Sequence, residues 1–201
     1  MTADNQHLRS LRLETEEPMT TENQHLRALR ADYDRQAGRS LALPLAGAIV
    51  WAAVGIAGLF LPARAATLVL LFASGAMFPL ALGLARPLGE RLLDNTNPLA
   101  RLMAFCVLMV NLLWALHLTL WFGDPAYVPL SLGIGLGLHW IVFSWVIGHP
   151  LGIVHTILRT ILATAAWWLV PNYQLSAVAA AVVLAYGYSI YALATRRLNV
   201  E

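Results

Sequence analysis

Charge is missing from this chain over stretches that each match the thickness of a lipid bilayer. Twenty-four uncharged residues separate Arg39 from Arg64, 21 separate Arg64 from Arg86, and 22 separate Arg101 from Asp124. One transmembrane helix needs about 20 apolar residues, so each run accommodates one. Asp124 to Arg159 leaves 34 residues and Arg159 to Arg196 leaves 36, both too long for a single span. Gly148-His149-Pro150 breaks the first and Pro171-Asn172 breaks the second, because proline cannot continue a helix and disfavours it in the residue before. The spacing predicts six helices, at about 42–61, 65–85, 100–122, 127–147, 151–170 and 175–195. The expected fold class is therefore all-α, a polytopic membrane protein with six transmembrane helices in a bundle over residues 41–196. A polar arm of residues 1–40 precedes it.

Composition agrees with that division. A soluble domain carries about 25% charged residues, and this chain has 12%. Residues 1–40 hold six arginines and seven acids, whereas 41–195 hold five arginines and three acids. All 13 cations are arginine, and they form no stripe on one face, which excludes nucleic acid as a partner. The single Cys106 excludes an intrachain disulfide and a multi-cysteine metal site; inside an apolar run it reads as a small buried hydrophobe.

Arginine in the short loops sets the orientation. One side would hold Arg27, Arg30, Arg35 and Arg39 of the arm, then Arg86, Arg91 and Arg101, then Arg196 and Arg197; the other would hold only Arg64. Both termini are thus expected in the cytoplasm, and the expected location is a bacterial inner membrane. Trp121, Phe122, Tyr127, Trp167, Trp168 and Tyr173 would fall at the outer interface, where amphipathic rings settle. The first forty residues are polar and do not read as a signal peptide.

The arm repeats itself. MTADNQHLRSLRLETEEP is followed by MTTENQHLRALRADYDRQ, an 18-residue period of five helical turns that would present one face twice. The second copy has Thr21 and Gln24 in a capping-box spacing and Leu26, Leu29, Tyr33 and Ala37 on one face, predicting an amphipathic helix from about Glu22 to Arg39. The first copy is expected to be loose. The repeat is either a local duplication or a two-unit arm that binds a protein partner or the membrane surface.

Small residues allow membrane helices to approach. Gly133, Gly135 and Gly137 supply them in the fourth span, and Ala177, Ala181, Ala185 and Ser189 form a stripe in the sixth. Ser74-Gly75 and Pro79 predict a kink in the second.

Ionisable groups at membrane depth are costly, at least about 2.5–3.5 kcal/mol for arginine at a helix centre, and they usually face protein or water. Arg159 lies two turns into the fifth span, where it could snorkel to the interface, pair with helix carbonyls, or serve a pathway. His155 sits four residues earlier on the same face, with Thr156 beside it. In the fourth span Ser131, Gly135 and His139 align. Packed as an antiparallel hairpin, the two spans would bring His139 and His155 together in the cytoplasmic half, as a proton relay or a hydrogen-bonded core pair. Asn111 and His117 in the third span read as interhelical hydrogen-bonding groups, and His149 lies in the tight turn. His139 with His155 or His149 could in principle hold a haem, but no Cys-x-x-Cys-His or His-Glu-x-x-His occurs and no acid lies within an expected transmembrane helix. No metal or other cofactor is expected. Nor is catalysis, since Glu90 and Asp94 read as solvated loop acids and Ser74 and Ser144 have no evident base.

Met77-Phe78-Pro79, the polar loop ending Asn97-Pro98-Leu99, and His139-Trp140-x-x-Phe143 resemble an uncharacterised family of small bacterial multi-pass membrane proteins, DUF7010, over about residues 40–195. The resemblance implies a similar helical bundle and carries no activity or site residues with it. The function expected is passage or sensing of a proton or small solute through a polar seam of His139, His155, Arg159 and Thr156. There the histidines would exchange protons and Arg159 would hold an anion or carbonyls. The alternative is a non-catalytic membrane scaffold or subunit acting through the arm. The partners expected are the lipid bilayer, a second copy of the chain, or a protein held by the arm.

Overall fold

The computed structural model describes residues 21–199, so the first copy of the repeat lies outside the described residues. The second copy is helix α1, Thr21–Ala37. It stops two residues before the expected Arg39, because Gly38 and Ser40 take left-handed φ values of 63° and 58°. The chain bends by 58° there into α2, Ala42–Ala57. The rest follows as α3, Ala63–Ala85; α4, Pro98–Leu112; α5, Trp114–Gly123; α6, Val128–Gly135; α7, His139–Ile147; α8, Leu151–Leu169; and α9, Gln174–Thr195. Single 3-10 turns, Pro125–Tyr127 and Pro171–Tyr173, precede α6 and α9.

All regular secondary structure among the described residues is helical, without strands. Five stretches, 63–85, 98–123, 125–147, 151–169 and 171–195, are long and apolar enough to cross a membrane. The sixth, α2, has 16 residues rather than the 20 of the expected 42–61. Its last expected residues instead close tight turns, with Leu59 N–H bonded to Ile56 O and Phe60 N–H to Ala57 O, ahead of the helix-breaking Pro62. α3 runs unbroken through Pro79.

The core lies where α9 packs between α8 and α2, with α3 against α2 and with α6 and α7 against α8. Trp51, Leu70, Leu132, Ile147, Leu151 and Val182 are fully buried there. α4 and α5 stand at the edge, α4 touching mainly α7 and α1, and α5 the 125–127 turn and α6. The crossing of α7 and α8 is close because Gly152 has no Cβ; one added there would collide with Trp140 O. Ser144 Oγ accepts the Ile153 N–H at 2.8 Å across the same crossing, caring for one of the unpaired donors of the α8 N-terminus.

Arm, loop and tail are tied together at one end of the bundle. Asp34 is buried and accepts from Arg196 Nη2 at 2.8 Å, Arg196 Nη1 at 3.0 Å, and Asn199 N and Nδ2. Arg39 donates to the carbonyls of Leu193, Ala194 and Arg196, closing the α9 C-terminus. Asn97 Nδ2 donates to Leu29 O and Asp32 Oδ2, and Arg30 to Trp145 O. That Asn97 bond is the main cause holding the Asp32 carboxyl below its usual range. Burial pushes the Tyr33 phenol up to about 12.

Glu90 is not the solvated loop acid its surroundings in sequence suggest. α2 has no capping side chain of its own; Glu90 supplies the cap from 48 residues away, accepting Leu41 N–H at 2.6 Å and Ala42 N–H at 2.9 Å while itself buried. A carboxylate also suits the positive end of the helix dipole. Glu90→Ala is expected to cost about 1–2 kcal/mol, measured as a lower Tm in detergent; an unchanged Tm would mean that the cap contributes nothing.

His149 closes the other turn at this end. Its Nδ1 accepts the Leu151 N–H at 3.2 Å, which requires a neutral ring. Burial and then the Arg196 charge hold its pKa below the usual 6.5. A histidine depressed in the fold adds stability that is present above about pH 6.5 and is lost as pH falls through its folded value. Lowering the pH from 7.5 to 5 should therefore reduce Tm by an increment that His149→Gln removes.

At the opposite end the aromatics gather. Tyr127 stacks on Trp167 at 4.8 Å, Trp167 Nε1 donates to Ala126 O, and the Arg64 guanidinium lies 5.2 Å from the Trp121 ring.

Candidate functional site

The expected fourth span is broken in its middle. Between α6 and α7 the ladder tightens to three-residue steps, Gly137 N–H to Ile134 O, Leu138 N–H to Gly135 O and Trp140 N–H to Gly137 O. Gly133 O is thereby left without its usual partner four residues on. α8 supplies the substitutes. Arg159 Nε donates to Gly133 O, and Thr156 Oγ donates to Gly137 O at 3.0 Å as well as to Gly152 O on its own helix. Non-helical backbone at membrane depth persists only where protein or a cavity satisfies it. The glycines make the approach feasible: a Cβ at Gly137 would lie 2.9 Å from Arg159 Cδ.

Arg159 does not snorkel. Its side chain is fully buried, with the guanidinium 5.2 Å from the Tyr186 ring and 5.6 Å from the Trp51 ring. Each aromatic face attracts a cation, by up to about 2 kcal/mol when desolvated. Gly47 makes room for Tyr186, since a Cβ there would strike the phenol ring. Nη1 and Nη2 have no hydrogen-bond partner.

His155, one turn away, is also fully buried. Its Nδ1 lies 2.8 Å from Ser189 Oγ and 3.1 Å from Ala185 O of α9, while Nε2 has no partner. The carbonyl can only accept, which places the proton on Nδ1 and leaves Nε2 as a bare acceptor. The ring stacks on Trp140 at 4.2 Å. His139 is half-buried and its ring lies 6.1 Å from that of Trp140, tilted against it. Among the described residues no hydrogen bond joins the two histidines. Trp51 Nε1, Trp140 Nε1 and His139 Nδ1 also lack partners. The two guanidinium nitrogens and the two indole N–H groups are thus donors without acceptors, in a place where each unpaired group costs about 1–3 kcal/mol.

The other candidates lie apart. His117 Nδ1 is 2.8 Å from Ser131 Oγ, an interhelical pair away from Arg159. Asn111 is exposed and turns back to donate to Val107 O of its own helix, so the expected interhelical bond is not made. An exposed amide on an apolar helix satisfies itself most cheaply on the carbonyl four residues earlier. No cluster of metal-ligating groups occurs among the described residues.

Sequence reasoning missed Trp51 and Tyr186, whose rings flank Arg159, and Trp140, which stacks on His155, because each reads as ordinary apolar content of its own helix. Ser189 was visible only as a small residue in a packing stripe.

Residues 26–196 match a family described as a family of unknown function, DUF7010. The chain belongs to this family. The match begins within α1, so the family's domain takes in most of the arm helix as well as the bundle, beyond the 40–195 that the short motifs suggested. Comparisons with curated proteins and with solved structures give no match. The DUF7010 domain thus contains every residue of the Arg159 site, together with the Asp34–Arg196 pair that ties α1 to the last helix.

Proposed function

We propose that this DUF7010 protein is a multi-pass membrane protein of the cytoplasmic membrane that passes or senses a small anionic solute at Arg159. The observation that carries the reading is the pair of unpartnered, buried guanidinium nitrogens beside a broken helix. Discontinuous helices placed against a buried charge are how many transporters build a solute site at mid-membrane. The surrounding unpaired groups are mainly donors, which suits an acceptor-rich anion better than a cation. Arg159 and the indole N–H groups of Trp51 and Trp140 would hold the anion, and His155 Nε2 would accept from an acidic proton it carried. Direct proton exchange between His139 and His155 fits less well, because His155 Nδ1 is engaged by Ser189 and Ala185 of α9 and no hydrogen bond joins the two histidines among the described residues.

The test is a panel of small anions offered to the native protein and to Arg159→Gln. In sealed proteoliposomes at several pH values, at least one anion should cross with the native protein and not with the variant. For a sensor, one anion should instead raise the Tm of detergent-solubilised native protein alone. No flux and no shift across chloride, nitrate, phosphate and acetate, from folded protein, would overturn the reading. A scaffold acting through the arm is the second reading: residues 21–25 of α1 are exposed, and they would be the part left for a partner.

A further inference from the structure

A cavity of about 640 Å³ lies on the arm side of the bundle; His139 and Trp140 line it, but Arg159, His155, Trp51 and Tyr186 do not. Tyr33 and Ala37 of α1 roof it, Leu43 and Pro44 of α2 form one wall, and His139, Trp140 and Phe143 of α7 form another. Its far wall is the face of α4 from Arg101 to Val107, six residues or about 9 Å along the helix axis. Phe78 of α3 stands at the remaining side. α3 and α4 hardly touch each other, so the cavity opens sideways between them at the level of the apolar helices.

The cavity has two chemical ends. Its depth is lined by apolar side chains such as Phe78, Met103, Val107 and Phe143. Its rim, at the end where the arm and the 91–97 loop meet, carries Arg91 and Arg101, both exposed. Neither makes a hydrogen bond or ion pair among the described residues; Arg101 only lies over the Phe105 ring at 5.6 Å. The nearby Asp32 carboxylate is taken by Asn97, Gln36 and Arg35, and so does not neutralise them. A soluble anion would use the rim and leave the apolar depth empty. A neutral chain would use the depth and leave two cations unmatched. Basic rims between membrane helices suit acidic headgroups, and a volume of this size holds a drug-sized or single-chain occupant.

We propose that this cavity binds one acidic phospholipid of the surrounding leaflet. Its phosphate sits at Arg91 and Arg101, and one acyl chain enters between α3 and α4 to lie against α2 and α7. The site does not depend on the Arg159 reading, and Arg159→Gln should leave it intact.

The test titrates detergent-purified protein with phosphatidylglycerol or phosphatidylcholine, reading bound lipid by native mass spectrometry and stability by Tm. One phosphatidylglycerol should bind about tenfold or more tightly than phosphatidylcholine. Arg91→Gln with Arg101→Gln should erase the preference. Ala104→Trp, which fills the cavity from α4 without touching the rim, should displace the lipid with the arginines in place. All three positions are exposed, and the Tm of each variant in phosphatidylcholine checks its folding. Equal binding of the two lipids would overturn the proposal. So would glycerol phosphate reproducing the effect of the whole lipid, which would indicate a free-anion site, or Ala104→Trp binding phosphatidylglycerol as the native protein does.

Discussion

Asp34→Ala should lower stability by about 3–5 kcal/mol, the usual consequence of removing one partner from a buried ion pair. For a chain of this size that is a Tm drop on the order of 10 °C. The Asp34 carboxylate is fully buried and takes two bonds from the Arg196 guanidinium and two from Asn199. Without it, Arg196 stays in place as a buried cation whose partner has gone. Arg196→Met strands the carboxylate in the same way. The double variant Asp34→Leu with Arg196→Met strands nothing, and such replacements are often neutral or better. Its loss should therefore be well below the sum of the single losses, a coupling that a double-mutant cycle measures directly. Thermal unfolding in detergent, followed by tryptophan fluorescence, reads all four proteins. Single variants that each cost less than about 1 kcal/mol would mean that water reaches the pair and that the arm is not clasped to the tail.

That clasp also shows which parts of the structure the sequence made legible. The helices were readable because charge is a strong signal in an apolar chain: Arg39, Arg64, Arg86, Arg101 and Asp124 all lie outside the apolar helices or within their first turn or two. The turn at Gly148-His149-Pro150 was readable because a proline and a left-handed glycine leave few alternatives. The early end of α2 was not, since residues 58–61 are as apolar as the helix before them. Nor was the break at 136–138, where the glycines that loosen the backbone look like glycines that only pack. The face of α8 carrying His155, Thr156 and Arg159 followed from helical spacing. What surrounds it did not, because Trp51, Trp140, Tyr186 and Ser189 come from three other helices and carry no periodic mark. Glu90 capping α2 and Asp34 meeting Arg196 are pairings at 48 and 162 residues' separation, and single charges in a sequence do not announce their partners.

Arg159→Gln should leave stability within about 1–2 kcal/mol of the native protein while abolishing anion passage or anion-dependent stabilisation. The balance of effects gives that result. Removing the guanidinium loses its attraction to the Trp51 and Tyr186 rings, about 0.5–2 kcal/mol each, and weakens the tie to Gly133 O, for which the glutamine amide is a shorter substitute. It also relieves the burial of a charge, at least about 2.5–3.5 kcal/mol at this depth, and removes two unsatisfied N–H groups. These opposing terms nearly cancel. An arginine kept only to mend the broken helix predicts something different: its loss would unpair Gly133 O, loosen α6 against α8 and cost several kcal/mol with no change specific to any anion. Tm and anion response measured on the same preparation separate the two. A stable variant that no longer responds to anions assigns Arg159 to function, and a badly destabilised one assigns it to holding the break together. Arg159→Lys sharpens the contrast. It keeps the charge but not the planar donor fork, so it should retain part of the anion response and lose selectivity among oxyanions, whereas a purely structural role gives lysine and glutamine the same profile.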